Sequence, residues 1–198
     1  MVFFYLFIKY MDKIVREFKV LRENREMIYP FTTFSCVLDS PPSDNRLREK
    51  VFTYLRSVFL SGCPSLDGKV SVTERPPLMV RVERRKSDLT DLALKSDYRF
   101  RAHLQHSFVQ RYFLENDPYT IATEVPVWDD GLSGHIDLLR IFPDKIQVPD
   151  FKPDAHKEKK AGSQVYSYII LLSKALRLPL SSFEGVYFDD RSAYFLTF

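Results

Sequence analysis

The chain has 198 residues, 45% of them hydrophobic and 28% charged, with a formal net charge of +3. This composition suits a globular protein with a sizeable core and excludes a disordered or low-complexity chain. Two cysteines, Cys36 and Cys63, exclude a disulfide framework and a zinc-finger spacing.

Residues 2–8 are apolar but are soon followed by Lys9 and Asp12. The run is too short to span a bilayer and no small-residue cleavage site follows it. It reads as the start of a buried strand or helix, and a cytoplasmic protein without a membrane partner is expected. Met11, Ile14, Val15, Phe18 and Leu21 then recur at helical spacing with basic residues between them, which predicts an amphipathic helix. Residues 29–43 hold three prolines and read as loop. Asp44 is placed to cap a second helix with Leu47, Val51, Tyr54, Leu55, Val58 and Phe59 on its buried stripe, ended by Gly62.

Residues 70–72 and 78–82 look like two short strands joined through Pro76 and Pro77. Arg81, Arg84, Arg85 and Lys86 cluster beside them, and such a run can hold a nucleic-acid backbone. The first hundred residues are net basic and the remainder slightly acidic. This fits a phosphate-binding arm beside a metal site, and equally an uneven solvated surface. Ser87 and Ser96 are candidate N-caps for two further helices, the second running over residues 96–115. Asn116-Asp117-Pro118 ends it.

Residues 119–128 alternate as a strand, Asp129-Asp130-Gly131 turns, and residues 134–142 form the next strand. A second turn leads into residues 145–152. Residues 153–162 form a charged loop with Lys157, Lys159 and Lys160. A helix capped by Ser163 follows, and two closing strands lie at residues 183–188 and 192–198. The order of helices, meander, helix and strands predicts an α/β core with a central mixed sheet flanked by helices, preceded by a mainly helical N-terminal region. Residues 1–95 would form that region and residues 96–198 the core.

Within the core, Asp150 and Lys152 are two apart, so on a strand both leave the same face. Asp137 lies on the preceding strand and can converge with them. Acids in otherwise apolar strands are costly unless paired or metal-bound. Two carboxylates with a lysine at their flank suit a hard divalent cation and a charged reacting group. On the next helix Gln164 and Tyr168 are four apart and share a face.

Asp137 followed by Asp150-Phe151-Lys152 resembles the PD-(D/E)XK nuclease signature, and Pro149-Asp150 reproduces its prolyl-aspartate. Gly134 three residues before Asp137, with Gln164 and Tyr168 downstream, resembles the RecB-like branch more narrowly. The resemblance covers residues 100–198 and implies a restriction-endonuclease-like core. It further implies a DNA nuclease, acting on single strands or duplex ends, that uses Mg2+ or Mn2+. Asp137, Asp150 and the Phe151 backbone carbonyl would hold the ion, Lys152 would attend the scissile phosphate, and Gln164 and Tyr168 would hold substrate phosphate or the lysine. A helical histidine completes the set: Ala102, His106, Val109 and Phe113 match the branch's pattern, with His103 as competitor. Glu124 is an auxiliary ligand in this reading, or one half of a cross-strand salt bridge. Relatives with an iron–sulfur cluster use four cysteines, so no such cluster is expected here. Homo-oligomers are allowed. The competing expectations are a DNA-binding or complex-assembly protein on a nuclease fold, and a structure-specific endonuclease.

Overall fold

A computed structural model describes residues 6–10, 13–22, 25–33, 46–61, 69–100 and 105–197. Among the described residues there are ten strands: β1 (Leu6–Tyr10), β2 (Lys13–Arg22), β3 (Arg25–Thr33), β4 (Val70–Ser71), β5 (Arg81–Arg85), β6 (Thr120–Trp128), β7 (Leu132–Ile141), β8 (Ile146–Phe151), β9 (Phe183–Phe188) and β10 (Ala193–Thr197). Among the described residues four α-helices accompany them: α1 (Arg46–Ser61), α2 (Asp88–Lys95), α3 (Gln105–Asn116) and α4 (Ala161–Leu176). The protein is therefore α/β, with a mixed, open sheet in the order β1-β2-β3-β6-β7-β8-β9-β10-β5 and β4 pairing with β7.

The meander β6–β7–β8 carries the centre of the sheet. Asp129 closes its first turn by accepting hydrogen bonds from the amides of Gly131 and Leu132, both at 3.0 Å, as turn-forming aspartates do. The chain then crosses through α4 and returns as β9, parallel to β8 with Asp150 opposite Tyr187 and Phe151 opposite Phe188. β10 is antiparallel to β9, and β5 pairs antiparallel with β10 to form the edge. β4 adds to β7 in parallel. On the other side Phe31 of β3 pairs with Ala122 of β6.

Two apolar layers sandwich this sheet. One holds Val51, Leu55 and Val58 of α1 with Val165, Ile169, Leu172 and Leu176 of α4 against Ile136, Ile146 and Val148. The other holds Leu89, Ala93, Val109 and Phe113 against Leu138, Phe151, Val186 and Phe188. Each fully buried aliphatic side chain contributes about 1.5–3 kcal/mol. Gly185 allows α4 to lie close: a methyl group there would stand 2.8 Å from Ile169 Cδ1 and 2.9 Å from Val165 Cγ1. Lys50 ties the two helices of this layer together, donating to the carbonyls of Leu176 and Arg177 at 3.1 and 3.0 Å.

Several expectations change. Residues 13–22 are a strand rather than a helix, paired with β1 and β3 through a continuous ladder. Ile14, Val15, Phe18 and Val20 favour a pleated surface, and pairing with two neighbours outweighs the helical period. The predicted loop over residues 29–43 is strand up to Thr33. Strands β4 and β5 do not form a hairpin; a short 3-10 turn at Val72–Glu74 and the two prolines send them to opposite parts of the sheet. Ser87 caps α2 as expected, accepting from the Leu89 amide. Ser96 instead ends α2, a 3-10 turn follows at Tyr98–Phe100, and the next helix is described over Gln105–Asn116. Lys160 precedes α4, and Ser163 lies inside it. Asp44, Gly62, Cys36, Cys63, Ala102 and His103 lie outside the described residues. Among the described residues no helix is long and apolar enough to cross a membrane.

Candidate active site

Strands β7 and β8 pair at Arg140 with Gln147 and at Ile141 with Ile146. Continuing that register sets Asp137 opposite Asp150, but the ladder stops short of them. The Asp137 carboxylate takes over there: its Oδ2 accepts a hydrogen bond from the Phe151 amide at 3.0 Å. The even alternation of β7 also breaks at this residue. Ile136 and Leu139 join the α1–α4 layer while Leu138 joins the other; a regular pleat would send Ile136 and Leu138 the same way.

Glu124 lies on β6 between the pairs Thr123–Leu138 and Val125–Ile136, and so faces Asp137. Its φ is 51°, a left-handed conformation that is costly for a residue with a side chain. It accepts a short hydrogen bond from Gln110 of α3. Burial raises its pKa, and the neighbouring Asp137 charge raises it further. Among the described residues no basic side chain pairs with it as a salt bridge; its neighbour on β7 is another acid, and like charges there repel.

Asp150 is fully buried. Burial first, and then the Asp137 charge, push its pKa up to about 7. Lys152 Nζ lies 2.7 Å from Asp150 Oδ2, yet neither carboxylate oxygen accepts a hydrogen bond of good geometry. The distance establishes an ion pair, and the poor alignment leaves lone pairs directed elsewhere. Burial works against the charge on Lys152, but Asp150 and Asp137 outweigh it and raise its pKa, so the side chain remains an ammonium. The Lys152 amide donates to the Phe188 carbonyl at 2.8 Å, which fixes the chain just beyond β8.

His106, in the first turn of α3, places Nδ1 3.4 Å from Asp137 Oδ2, and its ring stands edge-on to Phe151 at 5.3 Å. The hydrogen bond to Asp137 is the largest influence on it and raises its pKa. On α4, Gln164 Nε2 donates to Tyr168 Oη at 2.7 Å. Burial, then the Asp150 charge, raise the Tyr168 pKa, so the phenol holds its proton. Gly134 makes room for this ring: a methyl group at that position would stand 2.5 Å from Tyr168 Cε1.

The fold thus gathers Glu124, His106, Asp137, Asp150, Lys152, Gln164 and Tyr168 around the point where β7 and β8 part. Phe151 contributes its amide to Asp137 and its ring to the core. The basic residues do not join this centre. Arg81, Arg84 and Arg85 lie on the exposed edge strand, with Lys86 next to it. Arg85 is paired with Glu83 at 2.6 Å, and Arg84 reaches the Arg191 carbonyl at 3.5 Å. Lys157, Lys159 and Lys160 are exposed before α4, Lys157 lying 3.4 Å from Asp154.

Two features escaped the sequence reading. An open cleft of about 260 Å3 is lined in part by Tyr98, Arg99, Gln105, Pro153, His156 and Arg191; two of these are sequence neighbours of site residues, Gln105 preceding His106 and Pro153 following Lys152. Its walls come from four separate segments, so no local pattern announces it. Arg140 is fully buried. Its Nε donates to Asp117 Oδ2 at 2.8 Å, Nη1 to Gln147 Oε1 at 2.7 Å, and Nη2 to Asp88 Oδ2 at 2.5 Å. The one sequence signal for it is a cation inside an apolar strand.

Comparisons with protein-family models, characterised proteins and solved structures gave no match for this chain. Among the described residues, no three His, Cys, Asp or Glu side chains form a group ready to hold a metal ion. The donors that do fit a hard cation are carboxylates: Asp150 offers two buried oxygens without well-formed hydrogen bonds, next to Asp137.

Proposed function

We propose that the protein is a metal-dependent DNA nuclease on a restriction-endonuclease-like core, processing single strands or duplex ends. The observation that carries this reading is Asp150. A fully buried carboxylate with poorly satisfied oxygens, raised toward neutrality and set between an ammonium and a second acid, is costly as structure. It becomes useful when a cation and a phosphate enter.

Asp137, Asp150 and the Phe151 carbonyl would hold magnesium or manganese, with His106 and Glu124 beside them. The ion would neutralise charge on a phosphodiester and lower the pKa of water. Lys152, already an ammonium, neutralises the negative charge that grows on the phosphate in the transition state. It is a proton donor in this state, not a base. Tyr168 keeps its proton and is oriented by Gln164, so its hydroxyl can donate to a phosphate oxygen. Arg81, Arg84, Arg85, Lys86, Lys157, Lys159 and Lys160 would draw the nucleic-acid backbone toward the site.

Incubation with linear single-stranded and duplex DNA in Mg2+ or Mn2+ tests this. Wild type should cut, and Asp150→Ala or Lys152→Ala should lose about 10³-fold or more. Undiminished cutting by either variant overturns the assignment. A second reading, a DNA-binding protein with little turnover, is favoured by one observation. Asp150 and Asp137 are each already engaged, by Lys152 and His106, with no ready three-ligand group among the described residues. Tight DNA binding without any metal-dependent cutting would select it.

A further inference from the structure

Between Glu74 and Arg81 the chain leaves regular structure and runs from beside Gly134 and the Tyr168 ring to the first turn of α4. Its start is anchored by Val72, which is buried; a methyl group on Gly134 would lie 3.3 Å from Val72 Cγ2 and also meet the Tyr168 ring. Its end is anchored on the first turn of α4. The Leu78 amide donates to Ser163 Oγ at 2.8 Å, and Val80 and Val82 pack over Gly162. Gln164 and Tyr168 follow on the same helix.

Between those anchors stand Pro76, Pro77, Leu78 and Met79. Leu78 is 43% exposed and Met79 is 104% exposed, as open as a side chain can be. Isolated exposed apolar residues are common, but this one is presented with support. Two prolines stiffen the approach and bring no N–H donors that would need water. They limit the backbone freedom that remains to be lost on contact, while the Met79 side chain keeps its own rotamers to lose. Arg75 and Arg81 flank the tip, both exposed. An apolar projection between cations, on a segment running from the Tyr168 ring to the first turn of α4, matches the exposed face of a terminal base pair with its phosphates on either side. A methionine sulfur packs well on an aromatic base.

We propose that the 76–79 loop is a wedge that unpairs the end of a DNA duplex, with Met79 inserted against the terminal pair, so that one strand enters the site. This rests on the nuclease reading and names its substrate as a duplex end that the protein opens for itself.

The test uses a blunt duplex carrying 2-aminopurine at its terminal pair, with Ca2+ replacing Mg2+ so that binding is read without relying on cleavage. Wild type should raise the fluorescence several-fold and Met79→Ala should not, in keeping with unstacking at one base step. In Mg2+, the ratio of blunt-duplex to single-strand cutting should fall about tenfold in Met79→Ala and recover on a duplex with an unpaired tail. An unchanged ratio, or equal fluorescence from the variant, overturns the wedge. If no DNA of any kind is cut, the nuclease reading fails, while the fluorescence still decides whether the loop opens an end. An absent fluorescence rise, together with self-association that Met79→Ala abolishes, would overturn the proposal in favour of a second copy as occupant.

Discussion

Asp137 accepts the Phe151 amide at 3.0 Å in place of the backbone carbonyl that a continuous ladder would have supplied. The carboxylate is thus part of the sheet as well as of the candidate site. Its charge and its acceptor capacity can be separated by substitution. Asp137→Asn keeps an oxygen for the amide, so its thermal midpoint should stay within a few degrees of wild type while DNA cutting falls about 10²-fold or more. Asp137→Ala should lose both, melting lower because the buried amide is left without a partner. Thermal melts beside cleavage rates distinguish the two; an Asn variant that cuts normally would remove Asp137 from the chemistry.

Metal affinity should depend on the proton that Asp150 carries. A pKa of about 7 means that an ion must displace a proton below neutrality. The apparent Kd for Mn2+ should weaken by about tenfold for each pH unit below about 7 and level off above it. Calorimetric titration at pH 5.5, 6.5 and 8 checks this, since a flat profile would mean that Asp150 does not bind the ion.

The same raised pKa has a consequence for the metal-free protein. The folded carboxyl holds its proton up to about 7, whereas the unfolded one ionises near the ordinary 3.8. Wild type therefore loses stability as pH rises between these values. Asp150→Asn cannot ionise and should escape that loss. Without divalent ions, its melting advantage over wild type should be greater at pH 8 than at pH 4, measured by circular dichroism.

Arg140 should be indispensable to the fold. Arg140→Met takes the guanidinium away from Asp117, itself 2% exposed, and should cost about 3–5 kcal/mol. Adding Asp117→Asn should recover part of that loss, and denaturant unfolding of the two single variants and the pair measures the coupling. Additive losses would show that the ion pair contributes nothing beyond its separate members.

Gly134→Ala should act through Tyr168. The added methyl would stand 2.5 Å from the Tyr168 ring, so the ring or β7 must move. Overpacking of this kind costs about 1–3 kcal/mol. Combined with Tyr168→Ala, whose own loss of core packing is larger, the cost of Gly134→Ala should shrink, so that the two losses are less than additive in unfolding curves.

The sequence made the meander, α4 and the closing strands readable because local signals agreed. Alternation, the Asp129 turn and the spacing of Gln164 and Tyr168 all pointed one way. The convergence of Asp137 with Asp150 was likewise foreseeable from two neighbouring strands. What was not readable depends on distant pairing. Residues 13–22 carry a helical period but are held by β1 and β3. Ser96 has the chemistry of an N-cap, yet its hydroxyl donates to the Ala93 carbonyl and finishes a helix. Arg140 has no neighbour in sequence that announces Asp88 or Asp117, which lie 52 and 23 positions away.

The left-handed backbone at Glu124 adds a final consequence. A strand residue held in that conformation is a compressed spring of about 1–3 kcal/mol, retained only while its surroundings force it. Any event that withdraws Gln110 from its side chain, or brings positive charge between Glu124 and Asp137, alters the force that keeps it wound. A positive charge placed between Glu124 and Asp137 would therefore act on the backbone of β6 as well as on the two carboxylates.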